Sequence, residues 1–111
     1  MTISEMTKLT ELTLVQKEFE DGVISGGYTS DLLSDVIANA EANNILITIQ
    51  AHINTVAVSK LVGIRAIVIA NHREVPIDMV EAAQKEKIAL FSSTLSQFSL
   101  SVLIGKHIHK Q

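Results

Sequence analysis

Four short segments of this chain gather the residue types that bind or transform small molecules. They are Gly26-Gly27-Tyr28-Thr29-Ser30-Asp31, Gln50-Ala51-His52-Ile53-Asn54, Asn71-His72-Arg73-Glu74 and Ser92-Ser93-Thr94. Each follows an apolar stretch and reads as a loop leaving a strand. Where parallel strands end, connecting loops and helix N-termini converge, and ligands collect there. Arg73, His52 and His72 would supply donors, while Gln50, Asn54 and Asn71 would add side-chain amides. Ser30 and a flexible turn at Gly26-Gly27 would position backbone amides, with Asp31 beside them. That constellation suits an anion or a polar metabolite.

Other chemistries fit less well. Gly26-Gly27 alone is a weak nucleotide signal, because neither a Walker sequence nor a GxGxxG is present. Ser30, Asn54 and Thr94 stand at expected helix starts, where small polar side chains cap free amides without any ligand. Imidazoles of His52 and His72 at adjacent strand ends could share a zinc or nickel, with Asp31, Glu74, His107 or His109 nearby. No HxxxH pair and no cysteine supports such a site, so no metal and no other cofactor is expected. Catalysis needs a nucleophile activated by a positioned base, and neither a nucleophile elbow nor a distinctive acid pair occurs. No catalytic residue is assigned. Thr55 to Ile64 resembles the middle of a helix-turn-helix, but the buried strand expected at Ala66–Ala70 stands where a recognition helix would lie.

The elements that must hold these segments follow from hydrophobic pattern. A short helix is expected over residues 2–9, a strand over Leu12–Val15, and an extended piece from Val23 ending at Gly26-Gly27. Leu32, Leu33, Val36, Ile37 and Ala40 mark one stripe of a helix over Ser30–Ala42, with Asn43-Asn44 as its left-handed exit. Ile45–Ile49, Ala66–Ala70 and Ile88–Phe91 are apolar runs of strand length. Between them lie a helix over Asn54–Val62 ended by Gly63 and a helix begun near Pro76. A last helix is expected to start with Thr94 as cap, to turn Leu95, Phe98, Val102 and Leu103 inward, and to end at Gly105. Residues 106–111 would form a polar tail. From residue 30 onward helix and strand alternate with short connections, which predicts a single three-layer α/β domain, residues 1–111, with a mostly parallel sheet flanked by helices. The sheet positions of the first two strands are not legible.

Composition narrows the function classes. The chain has 111 residues, 47% of them apolar, enough for one packed core. Net charge is −3 and the nine Lys and Arg are scattered, which argues against a nucleic-acid partner. Charges or Asn interrupt every apolar run before membrane-spanning length, so no membrane partner is expected. The acidic residues of the N-terminal stretch, which lacks an apolar h-region, point to the cytoplasm.

Three stretches carry a family resemblance: Gly26-Gly27-Tyr28-Thr29-Ser30-Asp31-Leu32-Leu33-Ser34-Asp35-Val36, Ile47-Thr48-Ile49-Gln50-Ala51-His52 and Ile67-Val68-Ile69-Ala70-Asn71-His72-Arg73-Glu74. Through them the chain resembles a stand-alone DRTGG-domain protein, related to the N-terminal domain of HPr kinase/phosphorylase. The resemblance implies an α/β domain of the kind found beside phosphotransacetylases and regulated pyrophosphatases, regulatory or oligomerising, without established catalytic residues. The kinase half with its phosphate loop has no counterpart in this sequence. Ala51-His52-Ile53-Asn54 stands where the Asp-Arg part of the family motif falls, and Ala70-Asn71-His72 where Thr-Gly-Gly falls. A ligand served by those residues elsewhere is therefore either lost or changed.

The leading expectation is a non-catalytic regulatory module binding a small anionic or polar metabolite at the strand C-terminal edge, as a homodimer. The dimer is motivated by small size and by a helix 54–62 whose apolar positions wrap most of its surface. A subunit that docks a larger enzyme without a small ligand is the alternative. A small metal-dependent enzyme is the third reading.

Overall fold

Ile- and Val-rich runs that are too short for helices and too apolar to face water form the centre of a sheet. The computed structural model describes residues 1–109. Its elements are α1 (Ile3–Met6), β1 (Thr13–Gln16), β2 (Gly26–Thr29), α2 (Leu33–Asn39), β3 (Asn44–Thr48), α3 (Ile53–Val62), β4 (Ala66–Ile69), α4 (Ile77–Glu86), β5 (Ala89–Ser92) and α5 (Gln97–Ile108). The five strands lie in the order β1-β5-β4-β3-β2. Neighbours from β2 to β5 are parallel, and β1 closes the far edge antiparallel to β5. This is the expected three-layer α/β architecture, and the two N-terminal strands sit at opposite edges.

Strand period divides the core into two halves. Ile45, Ile47, Ala66, Val68, Ala89 and Phe91 point to one side, where Ile3 and Met6 of α1 and Leu100 and Ile104 of α5 cover them. Leu46, Ile67, Ile69 and Leu90 point to the other, under Val36 of α2, Val56 of α3 and Met79 and Ala83 of α4. The crossovers β2-α2-β3, β3-α3-β4 and β4-α4-β5 all step in one direction. Right-handedness therefore puts all three helices on one face. After β5 the chain turns to the opposite face, where α5 joins α1. Buried polar groups in the helix layer are satisfied locally, Thr55 Oγ1 donating to Gln50 O at 2.8 Å and Ser59 Oγ to Thr55 O at 2.8 Å.

Local signals hold in several places. Gly63 ends α3 in the left-handed region at φ 91°, and Asn43, at φ 67°, makes the left-handed turn into β3. The structure corrects four other readings. Gly26-Gly27 does not end an extended piece: it begins β2, paired with Asn44 and Ile45. A Cβ on Gly27 would lie 3.3 Å from Ile45 Cγ2, so the missing side chain lets the two strands approach. Helix α2 starts at Leu33, because Ser30 and Asp31 spend their oxygens in the loop, and of its expected stripe only Val36 is fully buried.

Helix α5 is capped by Ser96, whose side chain accepts from the Ser99 amide, and not by Thr94. The cap lies two residues later than expected, and a different face is buried: Leu100 and Ile104 are buried, while Phe98 is 79% exposed and Val102 is 50% exposed. The helix also runs through Gly105 to Ile108, since Ile104 and Ile108 pack against the sheet core and tertiary burial outweighs one poor helix former. Of the expected polar tail, 106–108 is thus helical, and residues 110 and 111 lie outside the described residues.

Gly105 meets nothing within 4 Å of an added Cβ. Gly105→Ala should therefore stabilise the protein by about 0.5–1 kcal/mol, through helix propensity and a less flexible unfolded chain. Thermal unfolding should show a midpoint raised by a few degrees. An unchanged or lowered midpoint would contradict the helical assignment there.

Candidate functional site

The loops at the carboxyl ends of β2 to β5 share one edge, and that edge holds two different kinds of polar cluster. The first is a closed knot around Asp31. Its Oδ1 accepts from Thr48 Oγ1 at 3.0 Å and from the Ile49 amide at 2.9 Å, and its Oδ2 accepts from Gln97 Nε2 at 3.0 Å. Gln50 Nε2 donates to Asp31 O at 2.9 Å, and the Gln50 amide donates to Thr48 Oγ1 at 3.1 Å. Partial burial pushes the Asp31 carboxyl up. The Ile49 amide, Gln97, Thr48 and the charge of Arg73 together outweigh that and hold it below the usual carboxylate range. Asp31 and Gln50 thus bind the β2–α2 loop, the β3–α3 loop and the start of α5 to one another.

The second cluster is open. A cleft of about 590 Å³ lies between the β4–α4 and β5–α5 loops and is lined by His72, Arg73, Glu74 and Val75 from one, and Ser92, Ser93 and Thr94 from the other, with Thr13 and Val15 of β1 at its side. The β4–α4 loop turns sharply because Asn71 and His72 both adopt left-handed backbone, at φ 62° and 55°. Asn tolerates this region readily; His does so at a strain of about 1–3 kcal/mol. Two bonds pin the turn, from the Asn71 amide to Leu95 O at 2.9 Å and from the His72 amide to Ser93 O at 2.8 Å. The consequence is an exposed His72-Arg73-Glu74 tip that lines the cleft together with Ser92–Thr94. Ser93 itself is buried, donating its hydroxyl to Glu11 O at 2.8 Å, so the hydroxyl-bearing residues left to the cleft are Ser92, Thr94 and Thr13.

The other expected site residues fall outside the cleft lining. His52 occupies the N-cap position of α3 without a side-chain cap, and Asn54 is exposed in the first turn instead of capping it. Ser30 Oγ accepts from the Leu32 amide at 3.2 Å. Gly26 and Gly27 sit toward the amino end of β2, across the sheet from these loops, and so do not join them. His107 is in the last turn of α5, its Nδ1 2.9 Å from Leu103 O, and His109 lies near Gly27 at that far end. The four histidines are thus divided between the two edges, and among the described residues no three His, Asp or Glu side chains form a group that could hold an ion. Sequence reasoning missed Thr48, Gln97 and Thr13. Reading Ser96 as the cap of α5 would have put Gln97 at the carboxyl edge.

No protein-family model matches the chain. No curated protein matches it in sequence. Among solved structures it is similar to the CBS and DRTGG domains of the regulatory region of Clostridium perfringens pyrophosphatase, determined in complex with an activator, diadenosine tetraphosphate. The TM-score is 0.61 at 14% identity, over 70% of this chain and 34% of that one. This chain thus spans about a third of that regulatory region, and the likeness is one of fold, in line with the DRTGG resemblance of the sequence. Among the described residues no helix is long and apolar enough to cross a membrane.

Asp31→Asn should remove one charge-assisted bond and set an amide against the Gln97 amide, costing about 1–3 kcal/mol. The sign of the pH effect follows from the lowered folded-state value. The stabilisation by Asp31 is fully present above its ordinary value of 3.8 and is lost as pH falls through the lower folded value. Urea unfolding at pH 7 and near pH 3 should show the variant's deficit shrinking in acid. An equal deficit at both values would contradict a carboxylate role.

Proposed function

We propose that the chain is a non-catalytic, cytoplasmic regulatory module that senses a small anionic metabolite at the strand C-terminal edge and works as a homodimer. The observation that carries this reading is the pinned turn at Asn71-His72, which sets Arg73 into the lining of an open cleft shared with Ser92 and Thr94. A mobile surface loop would not need two left-handed residues fixed by two backbone bonds. In this reading Arg73 and His72 meet the anionic group, and the hydroxyls complete its hydrogen bonds. His52 and Asn54 extend the same edge toward a larger ligand. Asp31 holds the edge rigid from within.

The fold likeness to a pyrophosphatase regulatory region supports the regulatory assignment, as does the activator of that protein, a nucleotide bearing several phosphates. Kinship with the N-terminal domain of HPr kinase/phosphorylase belongs to the same proposal. The absent Asp-Arg and Thr-Gly-Gly residues suggest a changed ligand contact, with Arg73 providing the cation. The competing docking reading assigns the edge no small ligand.

A thermal-shift series with diadenosine tetraphosphate, ATP, pyrophosphate and inorganic phosphate tests the reading. A bound probe at 100 times its dissociation constant adds about 2.7 kcal/mol, a shift of several degrees at this size. Arg73→Ala should weaken binding by roughly tenfold or more, as loss of a charge-assisted contact does. His107→Ala, at the far end, should leave it unchanged. A flat series with stable protein would overturn the metabolite reading and favour docking.

A further inference from the structure

The Arg73 cleft has an apolar part as well as a polar one. Val15 of β1 and Val75, at the end of the β4–α4 loop, both line it, and both are half-buried. Each packs against the same half of the core, the one under α2, α3 and α4. The polar members His72, Arg73, Ser92 and Thr94 come from the two loops at the strand ends. At about 590 Å³ the cleft has the size of sites that enclose whole organic molecules. An inorganic anion at Arg73 would leave the valines in contact with water.

Charge sets a limit on the head group. Among the described residues Arg73 is the one permanent cation of the lining, and Glu74 lines the same cleft. The charge of Arg73 also acts on the Asp31 carboxylate, and Asp78 stands in the first turn of α4. Three carboxylates around one guanidinium oppose a chain of phosphates, whose repulsion grows with every group added. A single phosphate matches one guanidinium in fork geometry. The imidazole of His72 and the hydroxyls of Ser92, Thr94 and Thr13 are further donors for its remaining oxygens, more than the two oxygens of a carboxylate would use.

We propose that the ligand of this cleft is a phosphate monoester with an apolar organic body, its one phosphate at Arg73 and its body against Val15 and Val75. The inference rests on the anion-sensing reading and specifies its ligand: neither free phosphate nor a polyphosphate is the preferred occupant. Covering one face of a six-membered ring removes roughly 60 Å² of apolar surface from water, which corresponds to about tenfold in affinity.

Isothermal titration calorimetry on the full chain tests this with phenyl phosphate, glycerol 3-phosphate, inorganic phosphate and pyrophosphate. Phenyl phosphate should bind about tenfold tighter than inorganic phosphate. Glycerol 3-phosphate, with the same head and a polar body, should stay close to inorganic phosphate, and pyrophosphate should bind no tighter than it. Val75→Thr keeps size and branching. With circular dichroism as the fold control, it should lower the ratio of phenyl phosphate to inorganic phosphate affinity severalfold. Glu74→Gln should tighten pyrophosphate more than phenyl phosphate. Pyrophosphate as the tightest probe, or phenyl phosphate without advantage over inorganic phosphate, would overturn this inference and leave the anion-sensing reading standing. So would a ratio indifferent to Val75→Thr. Failure of all four probes to bind would overturn both.

Discussion

The handedness of crossover connections governs this molecule. Three consecutive parallel steps in one direction leave α2, α3 and α4 no choice but to share a face. The opposite face would then be bare, and α1 and α5 cover it from the two ends of the chain. Because the strand order never reverses between β2 and β5, no crevice opens among the central strands, where doubly wound sheets bind ligands. The chain first diverges between the ends of β4 and β5, with α4 leaving β4 toward one face and α5 leaving β5 toward the other. The cleft lies there, between the two diverging loops. Its place is thus a consequence of topology before any side chain is considered.

Side chains then divide the edge between structure and binding. Asp31 is surrounded by donors from two other segments, the end of β3 with its loop and the start of α5, that reach it only in the folded state. A carboxylate so satisfied has little left to offer a ligand and much to offer rigidity, since a donor stripped of its partner in a partly buried site loses more than the bond gained. The neighbouring Asn71-His72 turn uses backbone amides for the same end. Together they fix the platform on which Arg73 and His72 remain exposed.

Sequence alone revealed those features that depend on local pattern. Ile45–Ile49, Ala66–Ala70 and Ile88–Phe91 were readable as buried strands from apolar length, and Gly63 as a helix stop from its lack of a Cβ. Less legible was anything set by partners distant in sequence. The antiparallel pairing of β1 with β5, which brings Thr13 to the cleft, joins residues nearly eighty apart. The face of α5 that is buried is set by its contacts with the sheet, which Thr94 as an expected cap did not encode: Phe98 points to solvent and Leu100 and Ile104 to the core. Gly26-Gly27 looked like a turn because glycine is weak in strands. The actual cause, close approach to Ile45, is invisible without the neighbour. The candidate site was located to its edge, and its division into knot and cleft depended on hydrogen bonds that spacing does not encode.

A second depression, of about 480 Å³, lies at the amino ends of the strands, and it collects Lys60, Arg65, Lys85 and Lys87. On charge alone it would rival the Arg73 cleft as an anion site. Its backbone surroundings argue otherwise. The C-termini of α3 and α4 end there, with left-handed caps at Gly63 and Lys87, so their carbonyl dipoles point into the depression. Cations at such ends offset a field that is already negative. Lys60 is also 3.9 Å from Glu86, and Arg65 donates to Asn43 Oδ1 at 2.8 Å. At the opposite edge the N-termini of the same helices carry the dipole sign that favours an anion, and Arg73 adds a cation there that it shares with Asp31 and with Asp78 of the first turn of α4.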